Sequence, residues 1–191
     1  MGPLTETRPR AVVIGASAGA LEALSVILPP LAADFDIPVI VVVHIPPDRP
    51  SVLAELFQAK CHLRVLEAED KEPIYGGTAY FAPPDYHLLV EANGTLSLSS
   101  DEPVLFSRPS IDVLFESAAD AYSDGLVAIV LTGANEDGAR GTNAVIKAGG
   151  TAIVQSPDGA FASAMPEAAI AMCPSARIMS LDAIAEYLQK V

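Results

Sequence analysis

Three short segments of this chain carry residues that, brought together, could hydrolyse an ester. Gly15-Ala16-Ser17-Ala18-Gly19 has the form G-x-S-x-G between an apolar run and a helical pattern. In that setting a tight turn lifts the hydroxyl, and the helix N-terminus behind it offers backbone N–H groups to a developing oxyanion. Taken alone, the segment equally fits a phosphate-binding turn or a plain loop, since any glycine-rich entry to a helix exposes N–H groups. It fails the dinucleotide fingerprint, because Ser17 stands where the second glycine belongs, and it lacks the Gly-Lys-Ser/Thr of a Walker loop. His44 comes at the end of the strongest apolar run, where an imidazole could take a proton from Ser17 if the two strands are neighbours. The plainer reading of a lone histidine is that it satisfies a loop carbonyl. After a third apolar run, Asp137 or Glu136 could orient that imidazole, or Asp137 could simply cap the next helix. Asp112 is a rival carboxylate, expected to face solvent one turn into a helix. His62 and His87 follow no such run and have no Cys or His neighbours at metal-binding spacing. Arg108 and Arg140 lie where they could meet an acidic partner, or cap carbonyls and pair locally.

The elements that must position these groups can be read from hydrophobic periodicity. Ala11 to Ile14, Pro38 to Ile45, Leu126 to Leu131 and Thr151 to Val154 are short continuous apolar runs, the pattern of buried strands. Leu63 to Leu66 is a weaker strand. Helical spacing covers Ala20 to Leu28, with a second piece expected around Leu31, then Ser51 to Ala59 and Ser110 to Tyr122. It also covers a stretch ending at Lys147 before Gly149-Gly150, then Pro166 to Met172 and Leu181 to Leu188. Ser51, Ser110 and Ser180 are the expected N-caps. Between Gly76 and Ser99, Tyr80-Phe81-Ala82, Leu88-Leu89-Val90 and Leu96-Ser97-Leu98 are strand-like, and Asn93-Gly94 is a hairpin turn. The expected fold is α/β: a doubly wound, mainly parallel sheet with helices on both faces and a small antiparallel hairpin insertion. Ligands of such sheets sit beyond the carboxyl ends of the strands, where all three segments end.

Composition narrows the function. Lys and Arg number 11 against 24 Asp and Glu, a net charge of −13. That argues against a nucleic-acid backbone or an anionic membrane surface as the main ligand, because both are bound through displaced counterions or clustered cations. The two cysteines, in a chain large enough to need no disulfide, suit a reducing compartment. The first ten residues, MGPLTETRPR, contain no apolar signal core, and the longest apolar run is too short to cross a bilayer. Cytoplasm is the default expectation.

Taken together, Gly15-Ala16-Ser17, His44, and Leu131-Thr132-Gly133 with Asp137-Gly138-Ala139 resemble the catalytic domain of the bacterial chemotaxis protein-glutamate methylesterases, the CheB family. The resemblance extends through Tyr80–Leu88 (YFAPPDYHL), Ser107–Phe115 (SRPSIDVLF), Gly149–Gln155 (GGTAIVQ) and Met165–Ala169 (MPEAA), dispersed motifs in one order. It implies a Ser-His-Asp triad that falls on Ser17, His44 and Asp137, acting through an acyl-enzyme without metal or organic cofactor. It implies as substrate the γ-glutamyl methyl esters on cytoplasmic helices of methyl-accepting chemoreceptors, with glutamine deamidation as a second activity. Family members usually carry a receiver domain before the esterase domain. Here the expectation is a tail over residues 1–10 and one catalytic domain over 11–191 with no receiver, which leaves two alternatives: constitutive activity, or regulation by another protein such as a receiver in trans.

The chain departs from the family pattern in four places. Ala18 replaces the usual Thr after the nucleophile, Val43 replaces Gln before the histidine, Ala134-Asn135 replaces Met-Gly in the third loop, and Ala20 replaces a glycine. These changes bear on oxyanion geometry and substrate fit. They keep two other readings open: a serine esterase or amidase of different substrate, and a catalytically weak domain that binds receptor.

Overall fold

The computed structural model of the chain describes residues 8–191, so most of the expected N-terminal tail lies outside the described residues. Seven strands form one parallel sheet in the order β3-β4-β2-β1-β7-β8-β9. These are β1 Ala11–Ala16, β2 Val39–Val43, β3 Arg64–Glu67, β4 Thr78–Phe81, β7 Leu126–Val130, β8 Thr151–Gln155 and β9 Arg177–Met179. A separate antiparallel hairpin joins β5 His87–Val90 to β6 Leu96–Ser99. The helices are α1 Ala20–Ile27, α2 Leu53–Gln58, α3 Ile111–Tyr122, α4 Ala139–Lys147, α5 Ala164–Met172 and α6 Leu181–Leu188.

The central strands β1, β2 and β7 are Val- and Ile-rich and buried along their whole length, as strands covered on both faces must be. Alternate side chains feed two cores. Val12, Ile14, Val41 and Ile129 pack under α1, α2 and α6, with Phe57 stacked on Phe81. Val13, Ile40, Val42 and Val130 pack under α3, α4, α5 and the hairpin. The chain leaves β1 toward β2 on one side and returns to β7 on the other, so the switch in strand order falls at β1.

Several local expectations are corrected. Tyr80-Phe81-Ala82 is not part of an antiparallel insertion: β4 lies inside the parallel sheet between β3 and β2, buried on both faces. Four residues cannot display a period, and their nearness to a real hairpin obscured the difference. Leu31 is a buried turn residue rather than the start of a helix. The helix expected from Ser51 begins at Leu53, although the Ser51 hydroxyl still accepts the Leu53 N–H at 3.3 Å. Strand β9 was not anticipated. It is a three-residue edge strand that is largely exposed, and therefore carries no apolar run to detect.

Candidate active site

β1 and β2 run side by side in register, with Ala16 opposite Val43 as the last pair and the His44 N–H donating to Ala16 O at 3.1 Å. One residue further on, Ser17 and His44 stand opposite each other at the carboxyl rim of the sheet. Leu131 N–H bonds to Gly15 O at 2.9 Å, which brings the β7 loop to the other side of Ser17. Asp137, at the end of that loop, reaches His44: its Oδ2 lies 2.7 Å from His44 Nε2. The three positions singled out in the sequence therefore come together at one edge. Glu136, its neighbour, is exposed.

The Ser17 turn is held from both sides. Ser17 N–H donates to Thr132 O at 2.9 Å, and the Thr132 hydroxyl donates to Ala18 O at 2.8 Å. Gln155 fixes Thr132 in turn, its Oε1 accepting the Thr132 N–H at 2.9 Å. Gly19, at the N-cap of α1, has φ 85°, and a Cβ there would lie 2.6 Å from Phe161 Cβ, so the turn admits only glycine. The N–H groups of Ala18 and Gly19 find no acceptor in the described residues and sit at the positive end of α1. The first glycine of the motif serves differently from expectation. Gly15 lies within β1, where a Cβ would come 2.3 Å from Ile111 Cγ2, so it makes room for α3 rather than shaping the turn.

Asp137 is fully buried and accepts four hydrogen bonds. Besides His44, it takes the Ile111 N–H at 2.7 Å, the Asp112 N–H at 3.0 Å and the Ser110 hydroxyl at 2.9 Å. The carboxylate thus caps α3 from a different segment. Ser110 occupies the expected N-cap position, but its side chain supports Asp137 instead of its own helix. Burial alone would raise the Asp137 pKa; the bonds from His44, Asp112 N–H and Ile111 N–H outweigh it and hold the carboxyl below its ordinary range. An ionised carboxylate only accepts, so the proton between the two groups sits on Nε2, which in the neutral tautomer leaves Nδ1 as the acceptor.

A pH dependence of stability follows. Because the folded-state pKa of Asp137 is depressed, its contribution is present above the unfolded carboxylate value and is lost as pH falls through the folded one. The difference in Tm between the parent and Asp137→Asn should be largest near neutrality and shrink below about pH 4. Thermal melts at a series of pH values check it, and a difference that grows on acidification would contradict the sign.

Gly138 offers a second test of the loop. It has φ 101°, and a Cβ there would lie 2.9 Å from Ile111 Cγ2. Gly138→Ala should cost about 1–3 kcal/mol, read as a lower urea midpoint at unchanged slope.

One further reading is corrected. Asp112 does not face solvent: it is 2 % exposed, because α3 turns its first residues toward α4 rather than outward. His87, given no role by its neighbours in sequence, is buried; its Nδ1 accepts the Ser110 N–H at 3.1 Å and its Nε2 donates to Glu102 O at 3.0 Å. Its partners lie 15 and 23 residues away, too far for local spacing to reveal. Arg108 pairs with Asp85 and donates to the carbonyls of Ser100 and Asp101, and Arg140 pairs with Glu116. Of the departures, Val43 is a core residue, Ala134 is exposed, and Asn135 Oδ1 accepts the Asp137 N–H at 3.1 Å. Beside His44 runs a groove of about 360 Å³ lined by Ile45, Pro46, Pro47, Phe106 and Arg108. No group of three or more His, Cys, Asp or Glu side chains among the described residues could hold a metal ion.

Comparison with known proteins decides the family. The family model for CheB methylesterase matches residues 12–188. The chain belongs to the CheB methylesterase family. A provisionally named protein-glutamate methylesterase/protein-glutamine glutaminase of Leptospira interrogans is 46% identical over 176 residues, covering 92% of this chain and 91% of that one. A protein-glutamate methylesterase/protein-glutamine glutaminase of Rhodospirillum rubrum is 35% identical, and the match covers 97% of this chain but 49% of the longer relative. The crystal structure of the Thermotoga maritima CheB methylesterase catalytic domain superposes with a TM-score of 0.91 at 33% identity, covering 96% of this chain and 99% of that one. The parallel sheet with its small hairpin is thus the CheB catalytic fold.

Proposed function

We propose that this CheB-family chain is a serine hydrolase that removes methyl groups from γ-glutamyl methyl esters on the cytoplasmic helices of methyl-accepting chemoreceptors and deamidates glutamines there. The observation that carries the chemistry is the 2.7 Å contact of His44 Nε2 with buried Asp137, next to the adjacent strand that ends one residue before Ser17. Ser17 Oγ attacks the ester carbonyl carbon as His44 Nδ1 takes its proton. Asp137 holds the ring and stabilises the imidazolium that forms. The negative oxygen of the tetrahedral intermediate falls to the N–H groups of Ala18 and Gly19, which follow the nucleophile and have no acceptor among the described residues. Collapse breaks the C–O bond, His44 protonates the departing methoxide, and methanol leaves. Water then repeats the sequence on the acyl-enzyme, releasing a glutamate; with glutamine the leaving group is ammonia.

The replaced Thr after the nucleophile leaves this scheme intact, because Ala18 contributes through its backbone. The groove beside His44 would receive the segment carrying the ester, with exposed Phe106 at its edge. No helix among the described residues is long and apolar enough to cross a membrane. Methanol release from methylated receptor membranes tests this reading. Release dependent on Ser17 supports the proposal. Covalent labelling of Ser17 by a sulfonyl fluoride without methanol release would instead favour an esterase of different substrate.

A further inference from the structure

Asp112 is a buried carboxylate that the triad chemistry does not use. Its Oδ1 accepts the Gly138 N–H at 3.0 Å and the Gly141 N–H at 2.6 Å, both at the start of α4. Asp137, which precedes α4, caps the start of α3 in return. Each carboxylate therefore sits on the N-terminus of the other's helix, where exposed N–H groups and the helix dipole favour negative charge. The two helices come close enough for this only because Gly141 has no side chain: a Cβ would lie 2.6 Å from Phe115 Cβ and 3.1 Å from Asp112 Cα.

We propose that Asp112 is a positioning residue for the triad carboxylate: its two bonds fix the turn at Gly138, and thereby the direction in which Asp137 presents Oδ2 to His44. The inference rests on the triad reading given above. The arrangement carries a cost that a purely structural contact would avoid. Burial raises the Asp112 pKa, the Gly141 N–H lowers it, and the facing charges are Asp137 and Glu116 against Arg140, whose Nε lies 3.9 Å from Oδ2. Two like charges are thus kept close in a buried place, which a neutral side chain would relieve. What a neutral, non-accepting side chain would lose is the fixed turn. Misplacement of a reacting group by about 1 Å costs on the order of 10²-fold in rate.

The test compares Asp112→Ala, Asp112→Asn and Asp112→Leu in the full chain, with methylated receptor membranes as substrate. Asp112→Ala should lower kcat about 10- to 100-fold with KM within about threefold. Asp112→Asn, which keeps an oxygen for the two N–H groups, should return kcat to within about threefold of the parent. Asp112→Leu, similar in shape and without an acceptor, takes the place of the Ala variant if that one does not fold, and is judged by the same loss. Val145→Ala, which opens the core under α4, serves as the control matched for Tm. The low-field proton resonance of the His44–Asp137 hydrogen bond should persist in Asp112→Asn and broaden in Asp112→Ala. Parent-like kcat in Asp112→Ala, equal losses in the Ala and Asn variants, or the same loss in Val145→Ala overturns the proposal. If Ser17→Ala leaves hydrolysis intact, the triad reading itself has failed, and the resonance still reports whether Asp112 holds Asp137 against His44.

Discussion

Ser17→Ala should reduce kcat for methanol release on the order of 10⁴- to 10⁶-fold with little change in KM. Removal of the nucleophile eliminates the acyl-enzyme route and leaves only oxyanion stabilisation and binding, which in serine hydrolases retain a small residue of catalysis. The fold should be untouched. Ser17 is half-buried, its backbone bonds to Thr132 and Ala20 do not depend on the hydroxyl, and its side chain holds no other element in place. Stability should therefore stay within about 0.5 kcal/mol of the parent. The measurement is methanol released from methylated receptor, alongside a thermal melt. A loss below tenfold in a folded variant would remove Ser17 from the chemistry and leave the site as a binding surface.

Asp137→Asn comes second in expected size, and the reason lies in hydrogen-bond polarity. The carboxylate accepts from His44, Ile111 N–H, Asp112 N–H and the Ser110 hydroxyl. An amide has one accepting oxygen and one donating nitrogen, so it cannot satisfy that set. If the oxygen stays at the Oδ1 position with the Asp112 N–H and the Ser110 hydroxyl, the NH₂ takes the Oδ2 position, where it faces the Ile111 N–H and His44 Nε2 and forces the ring proton onto Nδ1. Nδ1 can then no longer take the Ser17 proton. A loss on the order of 10³- to 10⁴-fold in kcat is expected, the size of a wrong-tautomer defect. Stability should also fall, by about 1–3 kcal/mol, because at least one buried donor loses its acceptor. Steady-state kinetics with a urea titration checks both, and unchanged kcat with reduced stability would make Asp137 a helix cap and nothing more.

The dependence of Asp137 on α3 explains why the departures from the family pattern spare the core of the site. Val43 points into the sheet core and away from the rim, as alternation along β2 requires once His44 faces Ser17. Ala134 is exposed and bonds to nothing that holds the three groups together. Asn135 has a definite place, since its side chain accepts the Asp137 N–H and shapes the loop. Substrate fit, rather than proton transfer, is where these replacements should be felt.

By itself the sequence determined the central strands, the helices and the placing of Ser17 and His44 just beyond their strands, and it narrowed the carboxylate to Asp137 or Glu136. Long Val- and Ile-rich runs such as Pro38 to Ile45 are unambiguous, because strands buried on both faces need no polar alternation. In a parallel sheet, the residue after each run is placed at the same edge by strand direction alone. Tertiary structure decided which short segments joined the sheet, and how the carboxylate was held. β4 and β9 are too short to show a period, and only their neighbours make them strands. Asp112, Ser110, His87, Thr132 and Gln155 act across gaps of 15 to 30 residues, through helix ends, strand ends and loops that meet only after folding. Local spacing records which face of an element is buried. It holds no record of which distant N–H group a buried oxygen will find, since that is settled by the packing of α3 against α4.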